Sequence, residues 1–235
     1  MAGKLYFKYG AMNSSKSTRL IMDSYGYEEE GQASVIAMKP KTDTKGGELI
    51  ISRTGLTRKL DIWLEETQTP SEEIEKFRRV SVLALRAVFI DEAQFLQPWQ
   101  VDDLLDYANE NPTGADVLAY GLRTDFRGEL FPGSARLFEV AETVESLKGM
   151  CGCGTKKANF NARQIDGVYV FSGGQVAIDG KEETTYKSLC VGCYQREVRR
   201  AYQNGAPIDE SSLSISGITR IIGNSVVTTT DKNES

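Results

Sequence analysis

At 235 residues the chain is long enough for one large domain, or for a main domain with a small appendage, and either can bury its own core. Its 40% hydrophobic and 26% charged residues belong to the globular range and exclude a disordered or membrane-spanning chain, since no apolar run approaches the roughly 20 residues of a bilayer span. A net charge of −5 argues against a broad nucleic-acid-binding surface, and the absence of histidine leaves proton transfer to carboxylates and metal binding to cysteine or oxygen.

In chain order, Met1 to Leu5 enters a strand-like segment without a leader pattern, so a cytoplasmic location is expected. Residues 5–9 read as a short buried strand, 10–15 as a loop and 16–25 as a helix, the start of an α/β unit. Residues 33–38 form a second strand, stopped by Lys39-Pro40. A helical pattern over 72–79 precedes an apolar run over 82–90 that includes a buried parallel strand ending in Asp91-Glu92. A helix beginning near Pro98 and a strand over 116–120 follow. Alternating strands and helices predict a mostly parallel sheet whose ligands bind at the carboxyl ends of the strands. Composition changes near residue 148, where four cysteines and short β-like runs such as 168–171 mark a small second module. The expected organisation is a nucleotide-binding domain over 1–148, a cysteine-bearing domain over 149–204 and a mobile Ser/Thr/Asn/Asp-rich tail over 205–235.

Gly10-Ala11-Met12-Asn13-Ser14-Ser15-Lys16-Ser17, followed by Thr18, sits between a strand and a helix, as a Walker A loop does. Such a loop turns backbone N–H groups toward phosphate oxygens of ATP, with Lys16 neutralising charge and Ser17 helping to hold Mg²⁺. Ser15 departs from the pattern, which has glycine there; serine carries a Cβ that glycine lacks. A serine-capped helix start is the structural alternative. Asp91 and Glu92 close an apolar strand where a Walker B acid belongs: Asp91 can approach Mg²⁺, and Glu92 can accept a proton from an attacking hydroxyl. The alternative makes Asp91 a helix cap and Glu92 a solvated acid.

The cysteines fall as Cys151-Gly152-Cys153 and Cys190-Val191-Gly192-Cys193, which fits a tetrahedral, structural Zn²⁺ site with no open position. Disulfides are the alternative, opposed by a reducing compartment.

Together with Gly121-Leu122-Arg123-Thr124-Asp125-Phe126-Arg127-Gly128-Glu129-Leu130-Phe131, these segments resemble the type II thymidine kinases from about Leu5 to Tyr194. The resemblance implies a RecA-like P-loop core with a small zinc-ribbon and lasso domain, and ATP-dependent phosphorylation of thymidine. It implies that Glu92 is the general base, that Asp43 lies near metal and phosphate, and that Arg53 contacts phosphate. Met12, Phe95, Leu122, Phe126 and Phe131 would line the thymine pocket. Asn161 would contact the base, a lasso over 171–186 would cover the nucleoside with Val176 and Ile178 near its floor, and Tyr186 would approach the sugar. The resemblance further implies a homotetramer inhibited by thymidine triphosphate. Two rivals stand beside it: a RecA-like ATPase with a zinc-ribbon nucleic-acid-binding module, and a noncatalytic nucleotide-regulated binding protein.

Overall fold

The computed structural model describes residues 2–29, 33–42, 47–81, 83–175, 184–218, 220–222 and 225–227. Two compact units divide the chain, the first comprising Met1–Arg123 and Leu130–Lys148, the second Thr124–Glu129 and Gly149–Ser235. The short segment 124–129, expected within the first domain, therefore groups with the second unit.

The first unit runs β1 (Leu5–Tyr9), α1 (Lys16–Glu29), β2 (Ser34–Pro40), β3 (Leu49–Ile51), β4 (Thr57–Lys59), β5 (Ile62–Leu64), α2 (Pro70–Arg78), β6 (Leu85–Ile90), a 3₁₀ turn (Ala93–Phe95), α3 (Pro98–Glu110), β7 (Asp116–Gly121), α4 (Pro132–Val140) and β8 (Thr143–Ser146). Six of these strands form one sheet in the order β5-β2-β6-β7-β1-β8, with every pairing parallel. Its central strands β2, β6 and β7 are buried on both faces, which explains their near-continuous apolar runs. Ile36, Met38, Val88 and Ile90 join one core cluster with Val101 and Leu104 of α3 and Leu137 of α4. Their strand neighbours Val35, Ala37, Ala87 and Phe89 join the opposite cluster with Leu20 and Ile21 of α1. The period of two along each strand thus sorts side chains between two helix layers. This is the mostly parallel α/β core that the alternating pattern predicts. β7 lies between β1 and β6, so the phosphate-loop strand and the Asp91 strand are second neighbours.

Lys39-Pro40 does not stop the second strand. β2 continues through both residues because Lys39 and Pro40 pair in parallel register with Trp63 and Leu64 of β5, and the Lys39 side chain is buried. β3 and β4 form a separate antiparallel hairpin.

The second unit holds an antiparallel sheet in the order β10-β9-β11, made of β9 (Phe160–Ile165), β10 (Val168–Val170) and β11 (Thr184–Leu189), followed by α5 (Val191–Gln203), α6 (Glu210–Ser216) and the hairpin of β12 (Arg220–Ile222) with β13 (Ser225–Val227). Helix α6 is a correction to the mobile tail expected from Gly205. Ser212, Leu213 and Ser216 are buried, and Gln195 Nε2 and Arg199 NH2 of α5 donate to the carbonyls of Ile215 and Ser216 at 2.8 and 2.7 Å. Among the described residues no helix is long and apolar enough to cross a membrane.

Helix α1 is fastened to the sheet by Asp23. Its Oδ2 accepts from Lys8 Nζ of β1 at 2.7 Å and Tyr120 OH of β7 at 2.6 Å, while Arg19 Nε reaches Oδ1 at 2.8 Å. Burial pushes the Asp23 carboxyl up, but hydrogen bonds from Lys8, Tyr120 and Arg19 outweigh it and leave the carboxyl below its ordinary value. Asp23→Asn should therefore cost about 2 kcal/mol in urea unfolding at neutral pH. A depressed carboxyl stabilises the fold above its unfolded value of about 4 and loses that contribution as pH falls through the folded one. The gap between wild type and variant should accordingly narrow in acid.

Candidate active site

The loop after β1 is built by close approach and unusual backbone. Gly10 N donates to Gly121 O at 3.2 Å, and a Cβ on Gly10 would stand 2.2 Å from Ser14 Oγ, so only glycine fits. Asn13 and Ser15 take left-handed φ values of 65° and 60°. Ser15 thus adopts the conformation for which the Walker pattern uses glycine, at a cost of roughly 1–2 kcal/mol. The serine-cap alternative loses its support at Ser14, whose Oγ is buried without a hydrogen-bond partner.

Lys16 begins α1 with its ammonium buried against the loop, donating to Ala11 O at 3.0 Å and Gly10 O at 3.4 Å. Burial lowers its pKa, opposed by Glu92 and Asp91, while Arg53 reinforces the decrease. Ser17 Oγ lies 3.4 and 3.5 Å from the two oxygens of Asp91. Asp91 is itself buried at the end of β6, where desolvation and the neighbouring Glu92 push its carboxyl up to about 7 against the pull of Lys39 and Lys16.

Glu92 has φ 51° and precedes the 3₁₀ turn without making a side-chain cap, so it is not spent on the helix start. Gln94 Nε2 instead donates to Glu92 Oε2 at 2.6 Å, while Gln94 Oε1 accepts from Leu122 N at 2.9 Å. Gln94 therefore links the acid to the strand end that carries Leu122. The sequence motif contains Gln94, but only the fold reveals this bridge.

Met12, Asn13, Ser15, Lys16, Ser17, Thr18, Arg53, Asp91, Glu92 and Leu122 line one cleft of about 540 Å³, together with Lys39 and Ile51 to Thr54. Arg53 sits in the β3–β4 turn, beside Thr54, whose Oγ1 lies 3.3 Å from Thr18 Oγ1. Within the same unit Phe95 and Phe131 meet edge to face at 5.7 Å. The donor set fits a magnesium polyphosphate: Lys16 supplies positive charge beside the loop, and the Ser17 hydroxyl lies beside the buried Asp91 carboxylate.

Other expected residues lie in the second unit. Phe126 is fully buried there, with the Arg163 guanidinium 3.7 Å from its ring centroid. Arg163 NH2 and NH1 also donate to Ser172 O and Gly174 O at 2.9 and 3.1 Å. This arginine was not recognisable from spacing, since β9 shows no motif around it. Asn161 Nδ2 donates to Thr124 O at 3.2 Å, and half-buried Tyr186 pairs opposite Arg163 in the β9–β11 ladder. Asp43, Val176 and Ile178 lie outside the described residues.

The ligand atoms of Cys151, Cys153, Cys190 and Cys193 all lie within 4.8 Å of one another, and none is in a disulfide. Cys190 occupies the N-cap of α5, where the helix end favours a thiolate, and Arg196 NH2 lies 3.3 Å from Cys193 Sγ. Four convergent sulfurs suit a closed tetrahedral site, which fits structural Zn²⁺.

Purified protein should therefore carry about one zinc per chain, measured by elemental analysis, and Cys190→Ser should lower that content and loosen amides of residues 150–194 in hydrogen exchange. Ser15→Gly should keep the loop's donors while removing roughly 1 kcal/mol of left-handed cost, partly offset by glycine's greater unfolded-state freedom. ATP titration by calorimetry should then give an affinity equal to wild type or several-fold tighter.

A sequence model described as thymidine kinase matches residues 3–194. The chain is 38% identical over 189 residues to a thymidine kinase of Ruegeria pomeroyi, covering 80% of this chain and 91% of that one. It is 38% identical over 188 residues to one of Haemophilus influenzae, covering 80% and 93%. The match to a third, from Novosphingobium aromaticivorans, is 40% over 195 residues, covering 80% and 94%. With its phosphate loop, paired carboxylates and four-cysteine cluster in one chain, the protein belongs to the thymidine kinase family.

Proposed function

We propose that this chain transfers the γ-phosphoryl group of ATP to the 5′-hydroxyl of thymidine, giving thymidine monophosphate and ADP in deoxynucleotide salvage. The observation that carries this reading is the convergence of Lys16, Ser17, Asp91 and Glu92 on one cleft, each at the carboxyl edge of the same parallel sheet.

The loop from Gly10 to Thr18 holds the polyphosphate through backbone N–H groups, and Lys16 offsets the charge that spreads over the transferring oxygens. Ser17 and Asp91 would hold Mg²⁺, with Asp43 nearby in the family's pattern, and the ion would supply positive charge to offset that of the phosphates. Arg53, from the β3–β4 turn, approaches the phosphates. Glu92 accepts the proton of the acceptor hydroxyl, and Gln94 fixes the carboxylate for that transfer through its 2.6 Å hydrogen bond. Met12, Phe95, Leu122, Phe126 and Phe131 would supply the apolar walls of the thymine site, and Asn161, Val176, Ile178 and Tyr186 its remaining contacts. Four zinc-binding cysteines would brace the small unit, which has a smaller core than the α/β unit. The enzyme is assigned to the cytoplasm and to a homotetrameric assembly by analogy with its family.

Glu92→Gln tests the central assignment, because the amide keeps the shape of the side chain while losing its proton affinity. Single-turnover phosphorylation of thymidine should slow by roughly 10²- to 10⁴-fold with ATP affinity little changed. A folded variant with a near-normal chemical step would remove Glu92 from the role of base.

A further inference from the structure

The family match ends at residue 194, yet the chain continues into α6, and α6 is fastened to the segment Thr124–Glu129 within the second unit. Three kinds of contact make this attachment. Arg127 NH1 donates to Asp209 Oδ2 at 3.1 Å, while the same guanidinium also pairs with Asp125 at 2.9 Å and with Glu129. Ser212 Oγ donates to Arg127 O at 3.1 Å and lies 3.0 Å from Tyr194 OH, which donates to Phe126 O at 2.8 Å. Gly128, at φ +87°, leaves open the space that Ile215 fills: a Cβ there would stand 2.1 Å from Ile215 Cδ1.

The extension is itself held in place. Asp209 N donates to Phe171 O at 2.9 Å, and the carbonyls of Ile215 and Ser216 accept from Gln195 and Arg199 of α5. Asp209 stands at the N-cap position of α6 but makes no capping hydrogen bond. Its carboxylate is directed to Arg127 instead.

We propose that the segment Asp209–Ser216 is a latch that fixes Thr124–Glu129, and that Asp209 is a positioning residue for the nucleoside acceptor, acting through Arg127. This rests on the thymidine kinase reading, in which Phe126 is a wall of the acceptor site. The portion shared with the family holds the segment from one side, through Asn161 on Thr124 O, Arg163 on the Phe126 ring and Tyr194 on Phe126 O. The latch supplies the contacts to Arg127 and Gly128. Phosphate binding draws on the loop of the first unit, whose residues make none of these contacts, so the two substrates should respond differently when the latch is weakened.

The test compares wild type, Asp209→Asn with Ser212→Ala, and Asp209→Glu, all in the full chain. Steady-state kinetics should show KM for thymidine raised roughly three- to tenfold in the double variant, the size expected for a partly exposed ion pair and one hydrogen bond. KM for ATP and kcat should stay near wild type, and Asp209→Glu should recover part of the thymidine affinity. Hydrogen exchange should show faster exchange at the amides of Asp125, Arg127, Gly128 and Glu129 in the double variant, with β6 and β7 unchanged. Unchanged protection of those four amides overturns the latch, whatever the kinetics. Faster exchange with thymidine KM unchanged, or with both KM values rising together, overturns the positioning role. Absence of thymidine phosphorylation in wild type would instead defeat the functional reading, while the exchange measurement still decides whether the latch exists.

Discussion

Burial of the Lys16 ammonium against two carboxylates at the edge of a parallel sheet is the constraint from which the rest of the site follows. Taking a lysine out of water is costly, and the direction of its pKa shift records that cost, set first by desolvation and countered by Glu92 and Asp91. Asp91 meets the converse situation, with burial and Glu92 pushing its proton affinity up while Lys39 and Lys16 pull it down. Lys16, Lys39 and Arg53 face Asp91 and Glu92, which leaves the cleft with an excess of positive charge. A magnesium polyphosphate, which keeps a net negative charge, is complementary to such a cluster. The sheet makes this grouping possible because β1, β2 and β6 all end on the same edge.

Backbone strain is concentrated at the same place. Among the described residues, left-handed φ outside glycine occurs at Asn13, Ser15, Glu92 and Asp166, and three of these four line the cleft. Each costs on the order of 1–2 kcal/mol. The surrounding order is strong enough to impose these conformations. Gly10 is locked to Gly121 across the sheet, α1 is fastened through Asp23 to β1 and β7, and Gln94 ties Glu92 to the end of β7. The core of two helix layers thus supplies the rigidity that a preorganised phosphate site requires.

The parts of this architecture that repeat were legible in the sequence. Apolar runs separated by helical periods mark β1, β2, β6 and β7, and short motifs at their ends identify Lys16, Ser17, Asp91 and Glu92. Cysteine spacing identifies the four-cysteine cluster. What escaped was chemistry defined by partners far along the chain. Lys39 reads as a strand breaker, yet it is a buried cation because Pro40 pairs with β5, a three-residue strand too short to show a period. Helix α4 carries its own signal in Pro132, at the first helical turn, but the flanking motif drew attention to the loop. Helix α6 was hidden by serine-rich composition. Asp209 and Gly217 do bracket it as start and stop residues, and serine is readily buried when its hydroxyl finds a carbonyl, as Ser212 and Ser216 do on Arg127 and Leu213.

Chain connectivity gives the segment Thr124–Glu129 more consequence than its six residues suggest. It belongs with the second unit, but it is joined covalently at both ends to the first, to Leu122-Arg123 on one side and Leu130-Phe131 on the other. Leu122 lines the cleft and donates its N–H to Gln94 Oε1, and Phe131 packs on Phe95 while serving as the N-cap residue of α4. Displacement of Arg127 or Phe126 is opposed within the second unit by Asp209 and Arg163. Asp125 resists such displacement from within the segment, its Oδ1 accepting from the amides of Arg127 and Glu129 and its Oδ2 from the Arg127 side chain. The contact made on Arg127 by Asp209, near the far end of the chain, adds to a segment already braced from within.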